Sequence, residues 1–165
     1  MIKTVNKHLF FFLIVLFLLA SLNLAFGYDR KEYGGWKQNI QTGCNTRQEV
    51  LLTRYVKVYE KVGKCKISGL WIDFYTGALL SDWNKIDIDH LLPVAYYDKH
   101  CRKNKPLKEI RKFYNDTENL VITSKEENRK KGSKTKEQYA PLIKNETRRK
   151  AYIEKYDKIY NKHCN

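Results

Sequence analysis

The middle of the chain contains two short segments whose apolar and polar residues are arranged as in β-strands. Residues 86–90, sequence IDIDH, alternate Ile86 and Ile88 with polar residues, which indicates a strand with one buried face. Pro93 cannot donate to a β-ladder, so this strand is expected to end before it. Residues 120–123, sequence LVIT, are predicted to form a second strand.

A helix is expected directly after the second strand. Ser124 and Glu127 have the spacing of a capping box, and Gly132 is placed to end the helix. Between the two strands, residues 91–118 form a long connection, in which a short helix is expected to begin at Pro106. The predicted order is therefore strand, long connection, strand, helix.

A further helix is predicted before this section. It begins after Asn45 or Thr46, with Glu49 at capping-box spacing from Thr46. Apolar residues recur at roughly helical spacing as far as Gly63: Val50, Leu51, Tyr55, Val58 and Val62.

Three other segments complete the prediction of an α+β chain. Residues 65–75 are β-branched and aromatic and are predicted to be extended, and residues 76–77 form a turn. Residues 145–163 are predicted to form a charged helix near the C-terminus.

The first 27 residues have the pattern of a secretory signal peptide. Lys3 and Lys7 precede an unbroken apolar run over residues 9–20, and Ala25 and Gly27 are small residues before a cleavage site after Gly27. An uncleaved anchor helix is the alternative, but the run is short for a membrane span. We expect a single domain over residues 28–165, exported or periplasmic, without stable membrane association after cleavage.

The charge of the chain favours polyanionic partners. There are 32 Lys and Arg against 18 Asp and Glu, a formal charge of +14, and cleavage after Gly27 removes only two lysines and no acid. Nucleic acid, anionic lipid and acidic polysaccharide all satisfy such a charge. A lysine-rich protein without such a partner is the alternative.

All four cysteines lie after the leader, which predicts two disulfides in an exported chain. Of the three possible pairings, we favour Cys44–Cys65, which ties a helix to the segment after it, and Cys101–Cys164, which fixes the C-terminus. A zinc site is the alternative, but no pair of cysteines has C-x-x-C spacing.

Four polar residues at the ends of the predicted strands and helix could hydrolyse a phosphodiester. His90 is a suitable general base near neutral pH. Asp89 and Asn128 each offer an oxygen to a hard divalent ion, and Asn119 could orient the imidazole. Taken singly, each residue is better explained as structural or as a solvated polar group. Moreover, neighbours on a regular strand face opposite ways, so Asp89 and His90 share a site only if the backbone leaves the strand there.

The combination of these residues resembles a known family. Residues 87–93, DIDHLLP, are similar to the D-x-D-H-x-x-P signature of HNH nucleases. Residues 119–132, NLVITSKEENRKKG, are similar to the second half of that signature, N-L-x(7)-N-x-x-K-G, as in the HNH domain of CRISPR effector nucleases. Residues 43–47, 69–77 and 115–120 also have counterparts in small secreted HNH proteins related to the GmrSD restriction-enzyme C-terminal domain.

This resemblance implies a ββα-metal (HNH) core of two short antiparallel strands and a helix, with flanking helices, around one divalent ion. The ion would be Mg²⁺, with Mn²⁺ or another divalent ion as an alternative. His90 would be the general base, Asn119 would orient it, and Asp89 and Asn128 would bind the metal. Asp87 would be a supporting acid. The implied activity is an endonuclease of low sequence specificity acting on DNA, with RNA as a second candidate substrate.

The charge around Asn128 agrees with a nucleic-acid substrate. Arg129, Lys130 and Lys131 follow it directly and are predicted to contact phosphates beside the cut, although they could equally be a solvated, cation-rich helix end. The alternative function is a non-catalytic, disulfide-stapled basic protein that binds nucleic acid or other polyanions.

Overall fold

The structure is a computed structural model that describes residues 29–165. The signal peptide predicted for residues 1–27 lies outside the described residues. The described chain is α+β, with two small antiparallel sheets, several helices and two disulfides. Its α-helices and strands are, in chain order, α1 (Thr46–Thr53), β1 (Lys57–Gly63), β2 (Lys66–Ile72), β3 (Leu79–Leu80), β4 (Ile86–His90), α2 (Val94–His100), α3 (Leu107–Tyr114), β5 (Leu120–Ser124), α4 (Lys125–Lys131), α5 (Lys136–Tyr139) and α6 (Glu146–Cys164).

Strands β4 and β5 pair antiparallel over their whole length, from Ile86 opposite Ser124 to His90 opposite Leu120. Helix α4 follows β5 without a break. The Ser124 side chain accepts a hydrogen bond from the Glu127 amide, and the chain leaves the helix at Gly132. The predicted strand–strand–helix order is confirmed, and β5 extends one residue beyond the predicted range of 120–123.

The paired strands separate two hydrophobic cores. Because neighbouring strand residues face opposite sides, Val121 enters one core while Leu120 enters the other. The larger core contains the buried residues of α2, α3 and α6 and many aromatic side chains. The smaller core packs the apolar residues of β4 and β5 on α1 and β2, and its buried members are Val50, Leu51, Ile67, Trp71, Ile86, Ile88, Leu120 and Ile122.

The prediction of one helix from residue 46 to Gly63 is wrong in its second half. Helix α1 ends at Thr53, and β1 pairs with β2 as an antiparallel hairpin. The segment after α1 includes Val56, Val58, Tyr59 and Val62, residue types that suit a strand, and a partner strand is present to pair with it. Asn45 caps α1, in a reciprocal capping box with Gln48 in place of the predicted Thr46 and Glu49.

The connection predicted over residues 91–118 contains a second helix that the sequence pattern did not indicate. Helix α2 begins directly after Pro93, whose fixed φ suits a helix start. Helix α3 begins after Pro106, which is the capping residue rather than the predicted first helical residue.

Both predicted disulfide pairings are present. Cys44–Cys65 joins the residue before the α1 cap to the turn between β1 and β2. Cys101–Cys164 joins the end of α2 to the end of α6. Among residues 29–165, no helix combines the length and apolar content needed to cross a membrane.

Candidate functional site

Strand β4 and helix α4 place the two halves of the sequence motif in contact. Asn128 Nδ2 donates to Asp87 Oδ2 at 3.0 Å, and Lys131 Nζ lies 2.9 Å from Asp89 Oδ2. Alternate residues of a strand share a face, and residues three apart on a helix lie side by side. Together, the strand and helix periods place Asp87 beside Asn128 and Asp89 beside Lys131.

Asp89 is a buried carboxylate with two donors on one oxygen. It is 8% exposed, and Tyr75 Oη donates to Asp89 Oδ2 at 2.5 Å. Burial, and then the charge of Asp89, raises the pKa of Tyr75, so the phenol stays protonated and remains a donor. The ammonium of Lys131 is the counter-ion that compensates for the buried charge.

The structure corrects the role predicted for Lys131. Its side chain is completely buried, and its ammonium also donates to the His90 carbonyl at 2.8 Å. It therefore cannot reach a phosphate in solvent in this conformation. Arg129 and Lys130 are exposed, and Lys130 pairs with Glu127 at 3.0 Å, so their phosphate contacts stay a prediction.

The imidazole of His90 is held by a main-chain oxygen. His90 Nε2 lies 2.8 Å from the Tyr114 carbonyl, at the end of α3. A carbonyl can only accept, so Nε2 carries the proton and Nδ1 of the neutral ring is the free acceptor. Burial lowers the pKa of His90 to about 4, although the Tyr114 carbonyl and the charge of Asp89 oppose the shift. His90 is therefore neutral at pH 7.

Aromatic rings enclose the His90 side chain. Trp36 stacks parallel to it at 5.7 Å between ring centroids, and Tyr114 and Phe113 lie at 4.7 and 6.1 Å. His90 is only 4% exposed, whereas Trp36 is half-buried and forms the outer layer. No motif or spacing in the sequence indicated Trp36 as a neighbour of His90.

Asp89 and His90 leave the strand in different directions. β4 continues through His90, which still pairs with Leu120, so the backbone does not leave the strand between the two residues. Asp89 contacts Tyr75 and α4, whereas the His90 ring contacts α3 and Trp36. The carboxylates and Asn128 thus form one cluster, and the imidazole lies in a second, adjacent one.

Asn119 supports the segment after His90 rather than the imidazole itself. Its side chain is fully buried, and Asn119 Oδ1 accepts from the Leu92 amide at 2.9 Å. Its own carbonyl accepts from the Leu91 amide at 2.8 Å. The direct contact predicted between Asn119 and the imidazole is made by the Tyr114 carbonyl instead. A main-chain acceptor leaves no signature in residue types, so sequence reasoning had no means of finding it.

The oxygen donors fit a hard divalent ion by their chemistry. Mg²⁺ usually takes one or two oxygens from the protein and completes its coordination shell with water and phosphate. Asp87, Asp89 and the side-chain oxygen of Asn128 could supply those protein oxygens. Within residues 29–165, no group of three or more His, Cys, Asp or Glu side chains is arranged to hold a metal ion. Lys131 occupies one oxygen of Asp89, so an ion bound there would have to compete with its ammonium.

The chain is similar to one protein named an uncharacterized secreted protein, from Arthroderma benhamiae. The two are 29% identical over 119 residues, which cover 71% of this chain and 58% of the relative. The chain thus spans less than two thirds of that relative's length. No protein-family model and no solved structure matches the chain.

Proposed function

We propose that this chain is a secreted, metal-dependent endonuclease of the HNH type that hydrolyses DNA with low sequence specificity, with RNA as a second candidate substrate. The observation that carries the proposal is the contact between the two motif halves. The β4 residues Asp87 and Asp89 each bond a motif residue of α4, and the backbone after His90 bonds Asn119. These contacts between the two halves of the motif support the interpretation that their spacing reflects a shared function and did not arise by chance.

The chemistry assigned to the imidazole is proton abstraction. Neutral His90 offers Nδ1 to a water molecule, and the Tyr114 carbonyl fixes the tautomer that makes this possible. The negative charge of Asp89 favours the imidazolium once the proton has arrived. Because His90 is only 4% exposed and Trp36 is its half-buried neighbour, the proposal requires the Trp36 side chain to move before water and a phosphate reach Nδ1.

Asp87, Asp89 and Asn128 would hold the divalent ion. When bound, it would neutralise charge on the phosphate and on the departing oxygen. The residues of this chain would supply the rest: Asn119 holds the turn after the strand, and Tyr75 orients Asp89. The substrate phosphate would have to reach both the carboxylate cluster and the imidazole, which leave β4 on opposite faces.

Export from the cell belongs to the same proposal. The signal-peptide pattern of residues 1–27, the two disulfides and the similarity to a protein named as secreted all support it.

The decisive experiment is a cleavage assay with the disulfide-bonded protein. Supercoiled plasmid, single-stranded DNA and RNA are incubated with Mg²⁺ or with a chelator, and strand breaks are counted. We expect breaks only with metal, and none with His90→Ala. His100→Ala, at an exposed histidine outside the site, is the matched control and should retain full activity. Breaks that persist after complete metal removal, or in His90→Ala, would overturn the mechanism.

A non-catalytic polyanion-binding protein is the second candidate. The deep burial of His90 and the Lys131 ammonium on Asp89 favour it, because both features close the site. It predicts salt-sensitive DNA binding with no strand breaks under any divalent metal.

A further inference from the structure

A surface groove is lined by residues adjacent in sequence to Trp36 and Tyr114, two of the rings that enclose His90. Its volume is about 1000 Å³, and it lies between the segment before α1 and the outer face of α3. The lining residues used in the argument below are Gly34, Gly35, Lys37, Lys108, Arg111 and Lys112.

The groove is strongly cationic. Lys108, Arg111 and Lys112 have i, i+3, i+4 spacing, so they share the exposed face of α3, while Ile110 and Phe113 are buried on the opposite face. Within the described part of the chain, none of these three cations forms an ion pair. The cations are therefore available to an anion.

The one carboxylate in the groove wall is already engaged. Asp116 Oδ2 accepts from His163 at 2.7 Å and lies 2.8 Å from Lys162 Nζ. It therefore does little to neutralise the α3 cations.

Gly34 sets the position of one of these cations. Its φ is +73°, and a Cβ at this residue would lie 3.1 Å from Arg111 Nε. A side chain would therefore strain the backbone and displace the guanidinium. The glycine therefore leaves room for the Arg111 side chain to lie close to the segment before α1.

The same two segments that form the groove also hold His90. Tyr114, whose carbonyl binds the imidazole, ends α3 and is followed by the groove residue Asn115. Trp36, which stacks on His90, lies between the groove residues Gly35 and Lys37. An anionic chain in the groove would therefore run up to Trp36 and the imidazole.

We propose that this groove binds the phosphate backbone of the nucleic-acid strand, with Lys37, Lys108, Arg111 and Lys112 as its contacts. The inference rests on the proposed function, because it supplies the path by which a phosphate reaches His90. The main phosphate contacts are then made by α3 and not by residues 129–131, for which the sequence analysis predicts them.

The test separates groove binding from general electrostatic attraction. Binding of a fluorescent single-stranded oligodeoxynucleotide is followed by anisotropy in chelator, between about 50 and 200 mM salt. The groove variant combines Lys108→Gln, Arg111→Gln and Lys112→Gln. The control variant combines Lys61→Gln, Lys99→Gln and Lys144→Gln, which are exposed and outside the groove, and so removes the same charge.

We expect the groove variant to bind about tenfold more weakly at low salt, and its log–log salt slope to be smaller by about 2, as for three lost phosphate contacts on a single strand. The control should change affinity less than about twofold. Equal losses in both variants, or wild-type affinity in the groove variant, would overturn the proposal. So would binding of a heparin oligosaccharide without binding of nucleic acid.

Failure of the groove and failure of the nuclease give different results. If the wild type binds through the groove but cuts nothing with Mg²⁺, the proposed activity is wrong and the binding site stands. If the wild type cuts and the groove variant binds equally well, the activity stands and the groove is wrong. Should the triple variant unfold, Lys108→Gln with Lys112→Gln, which retains Arg111 beside Gly34, is compared with Lys61→Gln with Lys144→Gln, so that each variant again removes two charges.

Discussion

The protonation of His90 depends on how completely its neighbours exclude water. Its pKa is lowered to about 4 chiefly by burial, and Trp36 is the only one of its three aromatic neighbours that is itself half-exposed. As pH falls from 6.5 towards 4, the unfolded chain binds this proton and the folded chain does not, so burial of His90 costs stability in that window.

We therefore expect Trp36→Ala to raise the pKa of His90 from about 4 towards 6.5, because water reaches the ring. NMR titration of the imidazole protons in chelator measures the change. Trp83→Ala, which removes a half-buried indole on Trp71 rather than on His90, is the control. An unchanged His90 titration in Trp36→Ala would show that this indole does not set the desolvation.

Lys131 is the residue whose loss should disturb the site most. Lys131→Met leaves the Asp89 carboxylate buried with only the Tyr75 hydroxyl, which should cost about 3–5 kcal/mol of unfolding free energy. Lys130→Met, one residue earlier and exposed, should cost less than about 1 kcal/mol. Urea denaturation in chelator compares the two.

The same pair of variants bears on the metal. If an ion binds at Asp89, it replaces the missing ammonium, so Mg²⁺ should raise the unfolding temperature of Lys131→Met more than that of the wild type. Equal stability of Lys131→Met and Lys130→Met would contradict the description of a buried, compensating ion pair.

At the level of elements, the limits of a strand or helix are predicted best where a periodic pattern is bounded by a capping or helix-ending residue. β4 and α4 fall at the predicted residues, and β5 falls within one residue of its prediction, because alternation in β4, Ser124 and Gly132 mark separate limits. β1 has every residue exposed, so no buried alternation distinguishes it. The spacing of Tyr55, Val58 and Val62 happens to fit a helix, and only pairing with β2 decides the outcome.

The candidate site was only partly predictable for a related reason. The contacts of Asp87 and Asp89 with α4 follow from side-chain periods that the sequence displays. The Tyr114 carbonyl and the burial of Lys131 depend on how α3 and α4 pack, which no residue pattern encodes locally. Asn119 and Lys131 thus make contacts that the motif did not predict, and the catalytic and metal-binding roles of the motif residues stay predictions.

The two disulfides hold different elements and should differ in their effects. Replacing Cys44 and Cys65 by Ala releases a loop with a sequence separation of 21, and replacing Cys101 and Cys164 releases one of 63. Chain entropy predicts losses of about 3 and 4 kcal/mol, measured by urea denaturation.

Hydrogen exchange should localise the two effects. Loss of Cys44–Cys65 should speed exchange in β1 and β2, whereas loss of Cys101–Cys164 should speed it at the end of α6. Uniform acceleration over the whole domain by either change would contradict this division.

At the scale of the whole molecule, the last helix is tied to the turn that precedes β5. Lys158 and Lys162 of α6 bind Glu118, and Lys162 and His163 bind Asp116. This turn leads directly into Asn119, which supports the segment after His90. The end of α6 therefore contributes to the position of the segment that follows His90.

Asp116 makes that connection dependent on pH. Burial alone would raise the pKa of Asp116, but hydrogen bonds from His163, Lys162 and the Glu118 amide outweigh burial and lower it. The stabilisation is thus present above the unfolded pKa of about 3.9 and is lost as pH falls through the lower, folded pKa.

Asp116→Asn should lower the free energy of unfolding by about 2 kcal/mol at pH 7, measured by urea denaturation, and by progressively less below about pH 4. Asp82→Asn, at the same capping position of another short helix, should cost less than about 0.5 kcal/mol at either pH. A deficit for Asp116→Asn that stayed constant down to strong acid would show that this carboxylate does not stabilise the C-terminal helix through its charge.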